Sequence, residues 1–206
     1  NSGTIFKILD GDATYVSSVC WSPDGKYLAS CSGSDNVIIW DAKNGERLKT
    51  LEGHSYSVSS VSWSPDGKYL ASCSEEFVGE EYVGRLFIWD AKSGEILKTL
   101  KGHLDEVKSV SWSPDGKYLA SGSVDKTVKI WHADNGACLR TLEGHSESIF
   151  SVCWSPDGKY LASGSEDNTV IIWDANSGEK LQTLEEHSES VNSVSWSPDG
   201  RYLASG

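Results

Sequence analysis

Apolar and polar residues alternate with a period of two along much of the chain, which is the pattern of strands with one buried face. VSSVSW (58–63) alternates in this way, and Ser-Pro-Asp-Gly follows it as a turn in which glycine can take a positive φ. KYLASCS, LFIWD and ILKTL follow as further short strands of β-branched and aromatic residues. No stretch shows the apolar period of an amphipathic helix. The pattern predicts an all-β fold of four-stranded antiparallel meanders.

This four-strand pattern is repeated along the chain. The steps between copies are 42, 49, 42 and 42 residues, so the unit has 42 residues and the second unit carries an insertion of seven. A single meander cannot bury both of its faces, so neighbouring units must stack on one another. The string WSPDGKYLAS marks the copies at 21–30, 63–72, 112–121, 154–163 and, with Arg201 in place of lysine, 196–205.

Three short motifs stand at fixed places in the units: Gly-His before the first strand, Ser-Pro-Asp-Gly after it, and Ile-Trp-Asp at the end of the third. Trp40, Trp89, Trp131 and Trp173 are in phase, and three of them precede aspartate. In these residues the chain resembles the WD-repeat β-propellers over essentially its whole length. The resemblance implies blades whose strands a to d run outward from a central channel. It also implies that the d–a and b–c loops share one face, the top.

The repeat also predicts how the chain is divided into blades. Without the insertion the chain has 199 residues, whereas five units need 210, and the missing 11 match a third strand. We therefore expect a β-propeller of five repeat units, four complete and one split between the termini and lacking a strand. The units are expected at about 10–51, 52–100, 101–142, 143–184 and 185–206, with an N-terminal strand in 1–9.

Three arrangements of the split blade stay open. The chain could form a five-bladed ring with one three-stranded blade, belong to a larger ring, or have its edges completed by a second chain, because exposed strand edges readily pair. Because it begins with asparagine and contains no methionine, we expect a single domain, 1–206, taken from a longer protein.

Serine, histidine and aspartate recur together, which is the residue set of nucleophilic catalysis. The resemblance implies instead a structural tetrad, in which the tryptophan N–H is satisfied by serine, serine by histidine and histidine by aspartate. A buried indole N–H does need an acceptor, and a catalytic centre has no reason to occur once per blade. The expected tetrads are His103, Ser121 (or Ser123), Asp125 and Trp131 in unit 3, and His145, Ser163 (or Ser165), Asp167 and Trp173 in unit 4.

The other units depart from this tetrad. Unit 1 has Asp12 in place of the histidine and Ser34 in place of the aspartate. Unit 2 keeps His54, but its insertion removes the aspartate, and unit 5 keeps His187. No metal or cofactor is expected, because the histidines occur singly, Ser-Pro-Asp-Gly lacks the ligand spacing of a calcium loop and no glycine-rich phosphate loop is present.

The residues that flank the apolar position at the start of strand a differ between units. In similar propellers these positions surround the top mouth of the channel, where peptides and protein segments dock. The alternative interpretation is neutral variation at exposed positions. These candidate partner-binding residues are Tyr15, Ser17, Ser57, Ser59, Glu106, Lys108, Ser148, Phe150, Ser190 and Asn192.

The insertion in unit 2 is a five-residue sequence written twice, Glu-Glu-aromatic-Val-Gly, at 75–79 and 80–84. It lengthens the b–c hairpin, so it should project from the top face. Paired acidic residues with Phe77 and Tyr82 suit the binding of a basic, partly apolar segment. The alternative interpretation is a longer solvated hairpin that arose by local duplication.

Net charge favours some partners over others. The chain has 18 basic and 30 acidic residues, a formal charge of −12, which argues against nucleic acid as a partner. No apolar run is long enough to cross a membrane, and cysteine spacing without a leader segment favours an intracellular, cytoplasmic setting. Acidic residues outnumber basic ones in the loops expected at the top: Asp10, Asp12, Asp105, Glu106, Glu143, Glu147, Glu166, Asp167, Glu185, Glu186 and Glu189 against Lys101, Lys108 and Lys126.

Together these features predict a non-enzymatic protein-interaction scaffold whose top face binds a basic peptide or protein segment. The rival interpretation is a structural module that self-associates through its incomplete blade. A catalytic propeller is a third class, and the lack of a unique acid, base or metal cluster weighs against it.

Overall fold

The computed structural model describes residues 7–9 and 15–206. Within these residues all regular structure is β, as the alternating pattern predicts. The strands are β1 (Val16–Trp21), β2 (Tyr27–Ser32), β3 (Asn36–Asp41), β4 (Arg47–Glu52), β5 (Val58–Trp63), β6 (Tyr69–Val78), β7 (Glu81–Asp90), β8 (Ile96–Lys101), β9 (Val107–Trp112), β10 (Tyr118–Ser123), β11 (Thr127–His132), β12 (Cys138–Glu143), β13 (Ile149–Trp154), β14 (Tyr160–Ser165), β15 (Val170–Asp174), β16 (Lys180–Leu184), β17 (Val194–Trp196) and β18 (Leu203–Ser205).

The strands form antiparallel sheets in chain order, and each sheet is one blade. Blade 1 is β1–β4, blade 2 is β5–β8, blade 3 is β9–β12 and blade 4 is β13–β16. Blade 5 is the two-stranded sheet of β17 and β18. The four-stranded antiparallel blades predicted from the sequence are confirmed.

The Ser-Pro-Asp-Gly turn connects strands a and b in every blade in the same way. In blade 3 the Ser113 hydroxyl donates to Asp115 at 2.7 Å, and the backbone N–H of Lys117 donates to the same carboxylate at 3.0 Å. Gly116 closes the turn with a φ of 70°, a left-handed conformation that glycine adopts without steric cost. The side-chain bonds and the glycine together explain why this string is repeated almost unchanged.

Blades pack face to face through strand a. Val107, Val110 and Trp112 of β9 are buried in one cluster with Ala71 and Cys73 of blade 2. Equivalent clusters join blade 1 to blade 2 and blade 3 to blade 4, and a smaller one joins blade 4 to blade 5. The hydrophobic core is therefore a series of similar layers between blades, as expected for stacked repeats.

Blade 1 has a solvent-exposed face on the side where the other blades meet a predecessor. Val16, Val19 and Trp21 of β1 are 58–64 % exposed, whereas their counterparts Val58 and Val61 are buried. The described residues therefore form an open series of blades, and β17–β18 contains no third strand among them.

The predicted N-terminal strand falls within residues 1–9, of which residues 1–6 lie outside the described residues. Lys7 and Leu9 lie beside Gly45 of blade 1. Lys49 and Leu51, in strand d of blade 1, lie in the same way beside Gly94 of blade 2. Residues 7–9 thus occupy the place of a strand d next to blade 1, although they are not hydrogen-bonded into a described sheet.

Candidate functional site

Loops that connect strands d to a and b to c meet on one face of the molecule, the top face. In blade 3 the backbone N–H of Val124 donates to the Glu106 carbonyl at 2.9 Å, and in blade 4 the backbone N–H of Glu166 donates to the Ser148 carbonyl at 2.9 Å. The a–b and c–d turns meet on the opposite, bottom face, where the backbone N–H of Ala133 donates to the Lys117 carbonyl at 2.9 Å.

A hydrogen-bonded relay crosses blade 3 below the top face. The Trp131 indole donates to the Ser121 hydroxyl at 2.8 Å, and this hydroxyl lies 2.7 Å from His103 Nε2. His103 Nδ1 lies 2.7 Å from Asp125, which also accepts from the backbone N–H of Leu104 at 2.9 Å. The relay therefore ties the d–a loop to strands b and c.

Blade 4 contains the same relay. The Trp173 indole donates to Ser163 at 2.8 Å, His145 Nε2 lies 2.7 Å from that hydroxyl, and His145 Nδ1 lies 2.9 Å from Asp167. The sequence left two serines possible in each unit, and the structure brings Ser121 and Ser163 into the relays. Ser123 and Ser165 bond instead to the carbonyls of Asp105 and Glu147.

Protonation in these relays follows from burial and hydrogen bonding. Burial lowers the pKa of His103, and the Asp125 hydrogen bond opposes that shift without cancelling it. Burial raises the pKa of Asp125, but hydrogen bonds from His103, Thr127 and Leu104 outweigh it and hold the pKa below its usual range. A neutral His103 thus donates from Nδ1 to an ionised Asp125 and accepts from Ser121 at Nε2.

Blade 2 completes its relay without an aspartate. Trp89 donates to Ser72 at 2.7 Å, and His54 Nε2 lies 2.6 Å from the same hydroxyl. His54 Nδ1 lies 2.6 Å from Ser74, whose hydroxyl donates to the carbonyl of Glu75 at 3.0 Å. Ser74 replaces the carboxylate with a hydroxyl that accepts and donates in turn. The sequence gives no specific signal for this role, because Ser123 and Ser165 stand at the same place in the units that keep the aspartate.

The remaining units hold parts of the relay. Trp40 donates to Ser30 at 2.8 Å in blade 1, and Asp12 lies outside the described residues. In blade 5, His187 Nε2 lies 2.7 Å from Ser205.

His54 makes the stability of blade 2 sensitive to acid. Burial lowers the pKa of His54 to about 3, compared with the ordinary value of 6.5. Between these values the unfolded chain binds more protons, so this stabilisation is complete above pH 6.5 and is lost as pH falls toward 3. In urea unfolding at pH 7 and pH 5, we expect His54→Gln to reduce the pH dependence of the unfolding free energy by about 2 kcal/mol. A folded-state NMR titration of the His54 ring with a midpoint near its ordinary value would contradict this assignment.

The Ser–His–Asp geometry does not provide an accessible nucleophile. Ser121 and Ser163 are completely buried, and their hydroxyls are engaged by both an indole and an imidazole. A serine that attacks a substrate must be reachable by the scissile group. The part of the chain that the structure describes also has no group of three or more His, Cys, Asp or Glu side chains that could hold a metal ion.

The insertion extends the b–c hairpin of blade 2 above its neighbours. The β6–β7 ladder continues from Ser74 opposite Arg85 to Val78 opposite Glu81, as the predicted longer hairpin requires. Phe77 and Tyr82 are directly opposite each other, with ring centroids 4.9 Å apart, and are 48 % and 49 % exposed. We call these two residues and Tyr56, whose ring meets Tyr82 edge-on at 5.9 Å, the aromatic cluster.

Acidic residues surround the base of this hairpin. Burial raises the pKa of Glu75, and the negative charges of Glu106 and Asp105 raise it as well. The positive charge of Lys108 lowers the pKa and partly offsets these effects. We call Glu75, Asp105 and Glu106 the acidic cluster. Glu76 on the other face of the hairpin is paired with the buried Arg85. The aromatic cluster and the acidic cluster are both carried by the top of blades 2 and 3.

Three of the candidate residues at the channel mouth belong to one hydrogen-bonded group. Glu106 accepts from the Ser59 hydroxyl of blade 2 at 2.8 Å and from Lys108 at 2.6 Å. Ser57 donates to the Gly33 carbonyl at 3.0 Å, and the Tyr15 ring also lies over Gly33. Of the other candidates, Asn192 donates from its side-chain amide to the Ser190 carbonyl at 3.3 Å. Ser17 and Asn192 are exposed, and Ser148, Phe150 and Ser190 are half-buried.

One groove lies on the bottom face, between blades 3 and 4. It has a volume of about 600 Å³ and is lined by Tyr118, Leu139, Arg140 and Trp154. Smaller grooves at the other blade junctions are lined by the equivalent pairs Tyr27 with Trp63 and Tyr69 with Trp112. The groove is therefore a regular consequence of stacking blades and not a unique site.

Four-stranded blades stacked through strand a, together with the Trp–Ser–His relay, define this protein as a WD-repeat β-propeller. A family model described as the WDR19 first beta-propeller matches residues 17–185, and one described as WD domain, G-beta repeat matches 178–206. The chain belongs to this family, whose domains generally mediate protein–protein interactions. None of the described residues forms a helix with the length and hydropathy needed to cross a bilayer.

Curated relatives match over short segments. A chromatin assembly factor 1 subunit from Gallus gallus is 38 % identical over 45 residues, 22 % of this chain and 8 % of the relative. Protein HIRA of Dictyostelium discoideum is 52 % identical over 33 residues, 16 % of this chain and 3 % of the relative. A probable cytosolic iron-sulfur protein assembly protein 1 of Phaeosphaeria nodorum is 50 % identical over 34 residues, 16 % of this chain and 8 % of the relative. The chain thus spans less than a tenth of these relatives' length.

Proposed function

We propose that this chain is a non-enzymatic interaction module that binds a basic, partly apolar segment of a partner protein on its top face. The observation that carries the proposal is the blade 2 hairpin, which presents Phe77 and Tyr82 to solvent beside the acidic cluster. Exposed aromatic side chains are the residues that most often anchor protein interfaces. No other b–c hairpin in the described residues is extended in this way.

Electrostatics favour a cationic segment at this place. Burial and the charges of Glu106 and Asp105 raise the pKa of Glu75, so a positive group that approaches this carboxylate would stabilise its charge. A lysine or arginine side chain on the partner would supply that charge, while its neighbouring apolar residues contact the aromatic cluster. The net charge of −12 would accelerate the encounter with a basic segment and repel nucleic acid.

The similar proteins support an interaction role in general terms. The chromatin assembly factor 1 relative is by its name one component of a larger assembly. A role in holding protein partners together needs no catalytic step, and the buried relay serines are consistent with that role.

Binding of a lysine- and arginine-rich peptide that also contains leucine tests this proposal. Isothermal titration should show binding that weakens several-fold as salt rises, because the charges involved are partly exposed. We expect Tyr82→Ala to weaken binding about tenfold or more, the typical effect of removing an aromatic anchor. Glu75→Lys should weaken peptide binding by a larger factor at low salt than at high salt.

The matched control for charge is Glu179→Lys, which reverses an exposed acidic residue in the c–d turn on the bottom face. It should leave the affinity within about twofold of the unchanged protein, since distant surface charges are screened. Affinity that does not change with salt, or equal losses in Glu75→Lys and Glu179→Lys, would contradict a specific basic-segment site on the top face.

A further inference from the structure

The face of β1 that is exposed to solvent is buried in the equivalent strands of the other blades. Each of β5, β9 and β13 buries the equivalent valine or isoleucine positions and tryptophan against the blade before it. In blade 1 the same positions, Val16, Val19 and Trp21, are exposed. These internal interfaces therefore show what kind of surface fits this face.

An aromatic stack is one element of the three interfaces that join blades 1 to 4. The tyrosine of strand b in one blade stacks on the tryptophan of strand a in the next, at centroid distances of 6.3–6.4 Å and interplanar angles of 22–23°. The pairs are Tyr27 with Trp63, Tyr69 with Trp112, and Tyr118 with Trp154. At the two ends of the series, Tyr202 of blade 5 is 72 % exposed and Trp21 of blade 1 is 60 % exposed.

A backbone-to-serine hydrogen bond is a second element of these interfaces. The backbone N–H of strand a in one blade donates to a serine hydroxyl of strand a in the previous blade. Val110 donates to Ser60 at 3.4 Å, and Val152 donates to Ser109 at 3.1 Å. The corresponding end groups are the N–H of Val19 in blade 1 and the hydroxyl of Ser193 in blade 5.

A proline-on-glycine contact in the a–b turns is the third element. The ring of Pro65 lies 3.6 Å from the side-chain position of Gly116, and the ring of Pro156 lies 3.6 Å from that of Gly200. At Gly25 no atom lies within 4 Å of the equivalent position. Pro198 of blade 5, whose side chain is exposed, is the proline that this pattern would place there.

We propose that the blade 1 face binds blade 5 of a second copy of this chain, head to tail, with the geometry of the internal interfaces. Tyr202 of the second copy would stack on Trp21, the Ser193 hydroxyl would accept from Val19, and Pro198 would cover Gly25. Blade 5 brings strands a and b, and residues 7–9 of the first copy already lie where a strand d belongs. The association is thus through blade faces and not only through strand edges.

The blade 1 face and the blade 5 face differ from each other. An open assembly of copies therefore keeps one free blade 1 face and one free blade 5 face. Such head-to-tail contacts close into rings or continue as open chains of copies. The faces used here are distinct from the top-face hairpin. Failure of this inference would therefore leave the proposed peptide binding unaffected. Failure of the proposed peptide binding would likewise leave this inference unaffected.

Complementary blocking variants test the inference by light scattering from micromolar to near-millimolar concentration. Val19→Glu places a charge on the blade 1 face, and Ala204→Glu places one on the exposed face of blade 5, where the equivalent Ala162 is buried. We expect the unchanged chain to gain mass with concentration and each variant alone to remain monomeric. An equimolar mixture of the two variants should form a two-chain species and nothing larger, because one face of each kind remains intact.

Leu181→Glu, a similarly exposed apolar residue on strand d of blade 4, is the control and should associate as the unchanged chain does. Circular dichroism of each variant checks the fold, and Trp21→Ser with Tyr202→Ser provides a second complementary pair. The inference is overturned if the unchanged chain is monomeric at all concentrations. It is equally overturned if Val19→Glu associates normally, or if folded complementary variants stay monomeric when mixed.

Discussion

Trp112→Ala is expected to lower the free energy of unfolding by about 3–5 kcal/mol, the cost of deleting a large aromatic side chain from a core. Trp112 is buried between blades 2 and 3, stacks on Tyr69 and donates from its indole to the Ser62 carbonyl at 3.1 Å. Its removal opens a cavity and leaves that carbonyl without the indole. Urea unfolding followed by circular dichroism measures the change.

The matched control is Trp21→Ala, the same substitution at the same position of the repeat. Trp21 lies on the open face of blade 1, so its removal forms no cavity in the monomer. At protein concentrations low enough to keep the chain monomeric we expect a loss of less than about 1 kcal/mol. Similar losses for the two variants would mean that blade 1 is packed like the others and that the described open face is wrong.

His103→Ala is the second substitution with a large expected effect, a loss of about 3 kcal/mol in the free energy of unfolding. It empties the space of a buried imidazole and removes the acceptor of the Ser121 hydroxyl, which is completely buried. Asp125 keeps the backbone N–H of Leu104 and the Thr127 hydroxyl as donors, at 2.9 and 2.6 Å. The loss therefore arises mainly at the serine and in the cavity.

His187→Ala removes the equivalent histidine of blade 5, which is only half-buried and contacts the exposed Ser205. Water can replace the lost hydrogen bond there, so the expected loss is below about 1 kcal/mol. Equal losses for the two histidines, measured by the same urea titrations, would show that the relay contributes no more than an ordinary loop contact.

Strand periodicity and the repeat were sufficient to predict the four-stranded blades, because each strand buries one face and each turn carries its own hydrogen-bonding residues. The role of Ser74 in the blade 2 relay could not be predicted, since it depends on the direction in which one hydroxyl points. The bond from Ser59 to Glu106 joins residues 47 positions apart and depends on how blades 2 and 3 stack.

Near-identical units also differ in ways that the repeat conceals. Trp112 and Trp154 donate to the carbonyls of Ser62 and Ser111, whereas the indoles of Trp63 and Trp196 are buried without a partner among the described residues. The residues at the corresponding places in the preceding blades are Cys20 and Cys153. The exposed face of blade 1 could not be predicted from the strand itself, because the sequence of β1 resembles that of every other strand a. The exposure depends on which blades are present beside it.

Chemical-shift mapping of the basic peptide on the isotope-labelled chain tests the central claim most directly, that the blade 2 hairpin is the binding surface. We expect the largest amide shifts in residues 75–84 and in the adjoining loop at 102–106, and these shifts should disappear in Tyr82→Ala. The largest shifts at the bottom groove, around Leu139 and Arg140, or shifts that Tyr82→Ala leaves unchanged, would contradict the assignment of the top face.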